Sequence, residues 1–312
     1  MSFHSEDALY FLREGEFEKA KTVYSGLLDR FPEDPNWICG FYVSSFWDNR
    51  VDHLLSLREG KERGKALLKY LEEFETEVSR RNFANQESTS AALHCILDET
   101  THHLGLSYRL DGWNGMDPES WRGLALCYLR LRQFDKAWEV MEFGSGMGTG
   151  SMPSDLPFLK AECLLGMGQE PEAKEFYIRG FIEDPARLRK ENVHWPVLKS
   201  LFFEEEKRIP KENTEDLIAH KIPIRLLRAG ELDTDLPALD KEILGWNQIL
   251  NQLNRSLPIT QGKYRVKTEL RLYFLAAILV RKADPERYPR ELQVAKQTLT
   301  DLEAKINAAL LP

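Results

Sequence analysis

A chain of 312 residues, 42% of them hydrophobic, can bury a substantial core, either as one solenoid or as two domains. A formal net charge of -8 and a sequence pI of about 5.6 argue against a protein that grips a nucleic-acid backbone, which calls for a basic surface. No basic-then-apolar signal segment opens the chain, and the longest apolar run, Leu272 to Val280, is far shorter than the roughly 20 residues of a spanning helix, so no membrane insertion is expected.

The expected address is the cytoplasm, with a periplasmic one left open if a signal segment has been removed. Cys39, Cys95, Cys127 and Cys163 stand far apart without a C-x2-C pair. They indicate neither a zinc knuckle nor a redox motif, and read as small packing residues in a reducing compartment.

In chain order, the first predicted helix has Ser2 or Ser5 as N-cap and an apolar face of Ala8, Leu9, Phe11 and Leu12. Gly15 makes the turn into a second helix, about Phe17 to Phe31, which turns Ala20, Val23, Tyr24, Leu27 and Leu28 inward and ends at Pro32 and Pro35. Trp37 to Leu57 reads as either one long helix or a helix kinked near Trp47, Asp48 and Asn49. The next helix, Arg63 to Val78, carries Ala66-x3-Tyr70. Another amphipathic helix covers 88–110 and closes at Gly112; Asp117 is then an N-cap, with Pro118 at the first helical position.

Two similar helix pairs follow. The first holds Trp121-x2-Leu124-Ala125-x2-Tyr128 and then Ala137-x3-Met141; the second holds Ala161-x2-Leu164, then Ala173-x3-Tyr177 and Pro185. Between them Gly144 to Ser151 is glycine-rich, but it lacks the Lys-Ser/Thr pair and the preceding strand of a phosphate loop and reads as a connector. Leu188 to Phe203 reads as the first half of a further unit, with Trp195-Pro196 near its start. The charged, proline-broken stretch from Glu204 to Lys211 is either a domain boundary, giving domains 1–205 and 206–312, or a helix end inside a continuous array. Beyond it, helices are expected at about 215–228, 237–256, 264–282 and 288–309.

The amino-terminal pair repeats the two later ones: Ala8-x2-Phe11, Ala20-x3-Tyr24, Pro32. In all three copies twelve residues separate the two alanines, a spacing that resembles the tetratricopeptide repeat (TPR). The resemblance implies an all-α fold, a TPR-like alpha-alpha superhelix (solenoid), with the remaining carboxy-terminal helices as a bundle or capping extension.

It also implies a concave groove, lined by first helices, that holds a peptide or a partner's amphipathic helix. The Lys and Asn clamp of the chaperone-binding subclass is absent, since its positions hold Ser5 and Leu9, Arg122 and Leu126, and Phe158 and Glu162. The groove residues expected are Leu9, Leu12, Arg13, Arg122, Leu126, Leu129, Arg130, Phe158, Glu162 and Leu165. So apolar a floor should be covered, either by a partner or by the chain's own carboxy-terminal helices. The expected function is a non-enzymatic scaffold or adaptor. Alternatives are a structural subunit with a closed groove, oligomeric through its carboxy-terminal helices, and a small-ligand or metal-binding helical protein.

The last alternative rests on His94, Asp98 and His102, one helical stripe, beside Cys95, Glu99 and His103. Three ligands over two turns span about 12 Å, too far for one ion, so a site would need help from elsewhere, His53 being a candidate. A solvated helix face is the simpler expectation. No nucleophile, P-loop or dinucleotide motif occurs, and no cofactor is expected. Trp113, Trp138 and Trp246 have no place in the repeat and are left to the core or a contact surface.

Overall fold

The six alanines of the three repeated pairs, Ala8, Ala20, Ala125, Ala137, Ala161 and Ala173, are all 0% exposed, as helix-on-helix contacts with room only for a methyl group require. In the computed structural model, residues 5–112, 116–146, 154–208 and 214–310 are described. All regular structure among them is helical, so the fold is all-α. Ser2, Trp113 and Met147 to Ser151 of the glycine-rich stretch lie outside the described residues. No described helix is long and apolar enough to cross a membrane.

The chain divides into two units, residues 1–153 and 154–312. The expected boundary at 205/206 falls within a helix of the second unit. The first unit holds α1 (Ser5–Arg13), α2 (Phe17–Leu28), α3 (Pro35–Ser56), α4 (Lys61–Arg80), α5 (Glu87–Asp111), α6 (Pro118–Arg130) and α7 (Phe134–Gly146). Between Trp37 and Leu57 the chain forms one unbroken helix, α3. Asp34 starts it by accepting from the Asn36 N–H at 2.8 Å, and Asp117 starts α6 by accepting from the Ser120 N–H at 2.9 Å. The first core joins α1 to α5 through Tyr24, Phe46, Trp47, Phe74 and Ile96. Helix α5 packs against α1, α3, α4 and α6, so it occupies the middle of this unit.

The second unit holds α8 (Leu156–Gly166), α9 (Glu170–Glu183), α10 (Pro196–Arg208), α11 (Thr214–Arg228), α12 (Asp240–Ser256), α13 (Gly262–Lys282) and α14 (Pro289–Leu310). It is built around α13, whose residues from Glu269 to Leu279 are buried except Arg271, and which meets α9, α11, α12 and α14. A helix apolar on nearly every side belongs in the middle of a bundle. Arg271 donates to the carbonyls of Ile182 and Glu183, at 3.2 and 2.8 Å, satisfying the open end of α9. The Lys282 ammonium donates to Glu175 Oε1 at 2.5 Å, the Thr234 carbonyl at 3.1 Å and the Leu236 carbonyl at 2.7 Å. All three of its donors are used, and it ties α13 to α9 and to the loop between α11 and α12.

The α6–α7 and α8–α9 pairs share one more contact. The Trp121 ring lies on Gly144 and the Phe158 ring on Gly180, each so close that a Cβ on the glycine would collide with the ring.

Lys282→Met should lower unfolding stability in urea by about 3 kcal/mol, because it strands the buried Glu175 carboxylate, and adding Glu175→Gln should restore part of that loss. His220, on α11, gives a pH dependence. Burial, reinforced by Arg271 and opposed by Asp184, lowers its pKa to about 4. The Asp216 carboxylate, 3.3 Å away, does not reverse this, because Lys267 already engages it. Below about pH 6.5 the unfolded chain takes up a proton that the folded site refuses until about pH 4, so stability should fall by about 3 kcal/mol across that window. In His220→Gln this slope should disappear from stability measured against pH.

Candidate functional site

Helix α4 presents Lys65, Leu68, Lys69, Glu72 and Glu75 at helical spacing, and α6 presents Glu119, Arg122, Gly123, Leu126 and Arg130 in the same way. The two stripes face each other across a cavity of about 270 Å³. Its polar rim carries both signs of charge. Leu68 makes the closest approach, lying on Gly123 where any side chain would displace it. Leu68 and Leu126 are half-buried, so the floor is apolar and still reachable.

Ion pairs fix both ends of this cleft. At the start of α6, Asp117 meets Lys65 at 2.6 Å and Lys61 at 3.2 Å; at its end Arg130 binds Glu75. Early residues of α4 therefore meet the start of α6 and late residues its end, so the helices run parallel. Burial alone would raise the Asp117 pKa, but bonds from Lys65, Ser120 and Lys61 outweigh it and hold the carboxyl well below its ordinary range. Beneath the floor, burial pushes the Cys127 thiol up to about 12, so it is held as the neutral thiol at neutral pH.

Of the ten expected groove residues, Arg122, Leu126 and Arg130 line this cleft. Leu129 turns away from it and is buried. On α1, which packs against α5, Leu12 is buried in the first core and Leu9 packs against that core. Arg13 faces a different cleft, between α1 and α5, of about 590 Å³, and lies 3.8 Å from Glu87. Leu165 packs against the second core, and Phe158 belongs to it, its ring near those of Tyr177 and Phe181. Glu162 is 2% exposed and accepts from the Tyr177 hydroxyl and, at 2.7 Å, from the His194 N–H. Burial first, then the Glu162 charge, holds the Tyr177 pKa well above its usual value.

The α4 half of the cleft does not follow from the repeat pattern. Ala66-x3-Tyr70 echoes a second helix, yet Ala66 and Tyr70 are only half-buried, and Tyr70 spends its hydroxyl on His53 of α3 at 2.9 Å. The stripe from Lys65 to Glu75 is the signal that would have found it, and its charges read as a wet face. On α5, His94, Asp98 and His102 are exposed, while His103 is buried with Nδ1 accepting from the Gly60 N–H at 3.4 Å. Among the described residues no group of three or more His, Cys, Asp or Glu could hold a metal ion. Trp246 is buried in the second core and Trp138 is half-buried on α7.

No family model, curated protein or solved structure matches this chain.

Asp117→Ala should destabilise the chain by about 1 kcal/mol at neutral pH, since α6 loses its cap. A carboxyl whose folded pKa is depressed stabilises above its unfolded value of about 4 and stops doing so as pH falls further. The deficit of the variant, followed by thermal melts, should therefore shrink below pH 4.

Proposed function

We propose that the chain is a non-enzymatic interaction scaffold of TPR-like helical hairpins, which binds an amphipathic helix or peptide of a partner protein in the α4–α6 cleft. The observation that carries this reading is the parallel pair α4 and α6. First helices of successive hairpins, with an antiparallel helix between them, offer such a pair of stripes to a ligand, and α5 is placed as that intervening helix. The six buried alanines support hairpins of one kind, as expected of a TPR-like solenoid.

The cleft has features that peptide recognition requires. Leu68 and Leu126 offer apolar contact to residues spaced i, i+3 or i+4 on a bound helix, and the mixed rim of Lys69, Glu72, Glu119 and Arg122 can fix its register. A second reading, a structural subunit whose groove is closed by its own chain, draws on one observation, the packing of α1 against α5. The two readings differ in what they expect of the half-buried Leu126.

Helical peptides selected from a display library against the full chain should carry apolar residues at i, i+3 or i+4. Leu126→Asp should weaken them by about tenfold or more, whereas Leu244→Asp, on the exposed side of α12, should leave their affinity unchanged. Titration by fluorescence anisotropy measures both. Peptides indifferent to Leu126→Asp would remove the α4–α6 cleft as the binding site.

A further inference from the structure

The chain carries an excess of acidic residues, yet residues 243–268 contain no Asp or Glu and hold Arg255, Lys263, Arg265 and Lys267. This stretch includes the turn between α12 and α13. Ile259 in the turn is 82% exposed, the most exposed large hydrophobic residue among those described, and Tyr264 in the first turn of α13 is 62% exposed. Pro258, Gln261, Gly262, Lys263 and Arg265 are exposed with them.

The display of Ile259 is built into the turn. The Thr260 hydroxyl donates toward the carbonyls of Ser256 at 2.8 Å and Leu257 at 3.0 Å, and the Thr260 N–H donates to the Leu257 carbonyl at 3.2 Å. Both donors of Thr260 are thereby spent inside a tight 3-10 turn, with Ile259 held outward. The ammonium groups of Lys263 and Lys267 lie 5.7 and 5.6 Å from the centre of the Tyr264 ring, so the aromatic residue and the positive charge form one patch. Among the described residues, Asp216 binds Lys267, and Glu269 lies 3.3 Å from Arg265. Arg255 and Lys263 are exposed on either side of the turn.

We propose that the α12–α13 turn docks on an anionic lipid surface, with Ile259 and Tyr264 entering the headgroup layer and Arg255 and Lys263 attracted by the lipid charge. An exposed end of a helical hairpin suits a broad, flat partner better than a ligand that needs a groove. Tyr264 alone in the patch offers a ring face on which a base could stack; the more exposed Ile259 offers none, which favours a lipid surface over nucleic acid. Ile259 gains from leaving water, as a membrane interface allows, and Tyr at such an interface keeps its hydroxyl wet while its ring is buried. Basic side chains near an anionic leaflet are drawn to it within a Debye length, so the attraction must weaken with salt. This is surface docking without a spanning helix.

The test is flotation of the full chain with phosphatidylcholine vesicles, with and without phosphatidylserine, at low and high salt. The wild-type chain should float with the phosphatidylserine vesicles at low salt and stay behind with phosphatidylcholine alone. Ile259→Asp and the double variant Arg255→Glu, Lys263→Glu should each reduce the bound fraction about tenfold with unchanged thermal melts, since all three residues are exposed. A wild-type chain that ignores phosphatidylserine vesicles overturns the proposal, as does an Ile259→Asp chain that binds them like wild type. Retention on polyglutamate without vesicle binding would instead assign the turn to an acidic protein and also overturn it.

Discussion

Two helices can approach closely only where one of them carries a methyl group or no side chain at all, and that constraint is met repeatedly in this chain. Ala8, Ala20, Ala125, Ala137, Ala161 and Ala173 leave no surface to solvent, while Trp121 and Phe158 place their rings directly on Gly144 and Gly180. The pairing is specific because any larger residue at these positions would push the helices apart and open voids along the contact, and voids in close-packed interiors are costly. Three helical hairpins of the chain share this signature, which is as much the absence of atoms as their presence.

Charge serves a second purpose, the tying of elements that are distant in sequence. Asp117 with Lys61 and Lys65, and Arg130 with Glu75, set the direction and register of α6 against α4. In the second unit Lys282 reaches Glu175 and two loop carbonyls, and Arg271 closes the end of α9. Partly buried ion pairs contribute little net stability after desolvation, but they penalise other arrangements, in which the same charges would be buried alone. The α4–α6 cleft follows from this arrangement: its ends are fixed by charge, and its middle keeps the apolar side chains of Leu68 and Leu126 half-buried.

The linear chain revealed much of the helix pattern and little of the site. Asp117 followed by Pro118 marks the start of α6 because a cap and a proline act on their own backbone. The helix expected at about 264–282 is α13, which is buried along most of its apolar run from Leu272 to Val280. Of the expected groove, Arg122, Leu126 and Arg130 do line one cleft, because they share a stripe on a single helix. Leu9 and Leu12 are separated from them because α5 packs against α1, and Glu162 is lost to solvent because Tyr177 and His194 occupy its oxygens. The part played by α4 was hidden because Lys65, Lys69, Glu72 and Glu75 look like a solvated face until a second helix lies beside them.

The sequence by itself determined the all-α class, the near-positions of the helices and the alanines that let helices pair. Capping, periodicity and side-chain size are local properties, settled within a few turns of backbone. Tertiary structure alone decided which helices became neighbours, and with that which polar residues faced water, which faced each other, and where an apolar floor stayed open. Those outcomes depend on contacts such as Glu75 with Arg130 and Glu175 with Lys282, made between residues far apart in the chain. No short window of sequence holds both partners, so only the folded chain could bring them together.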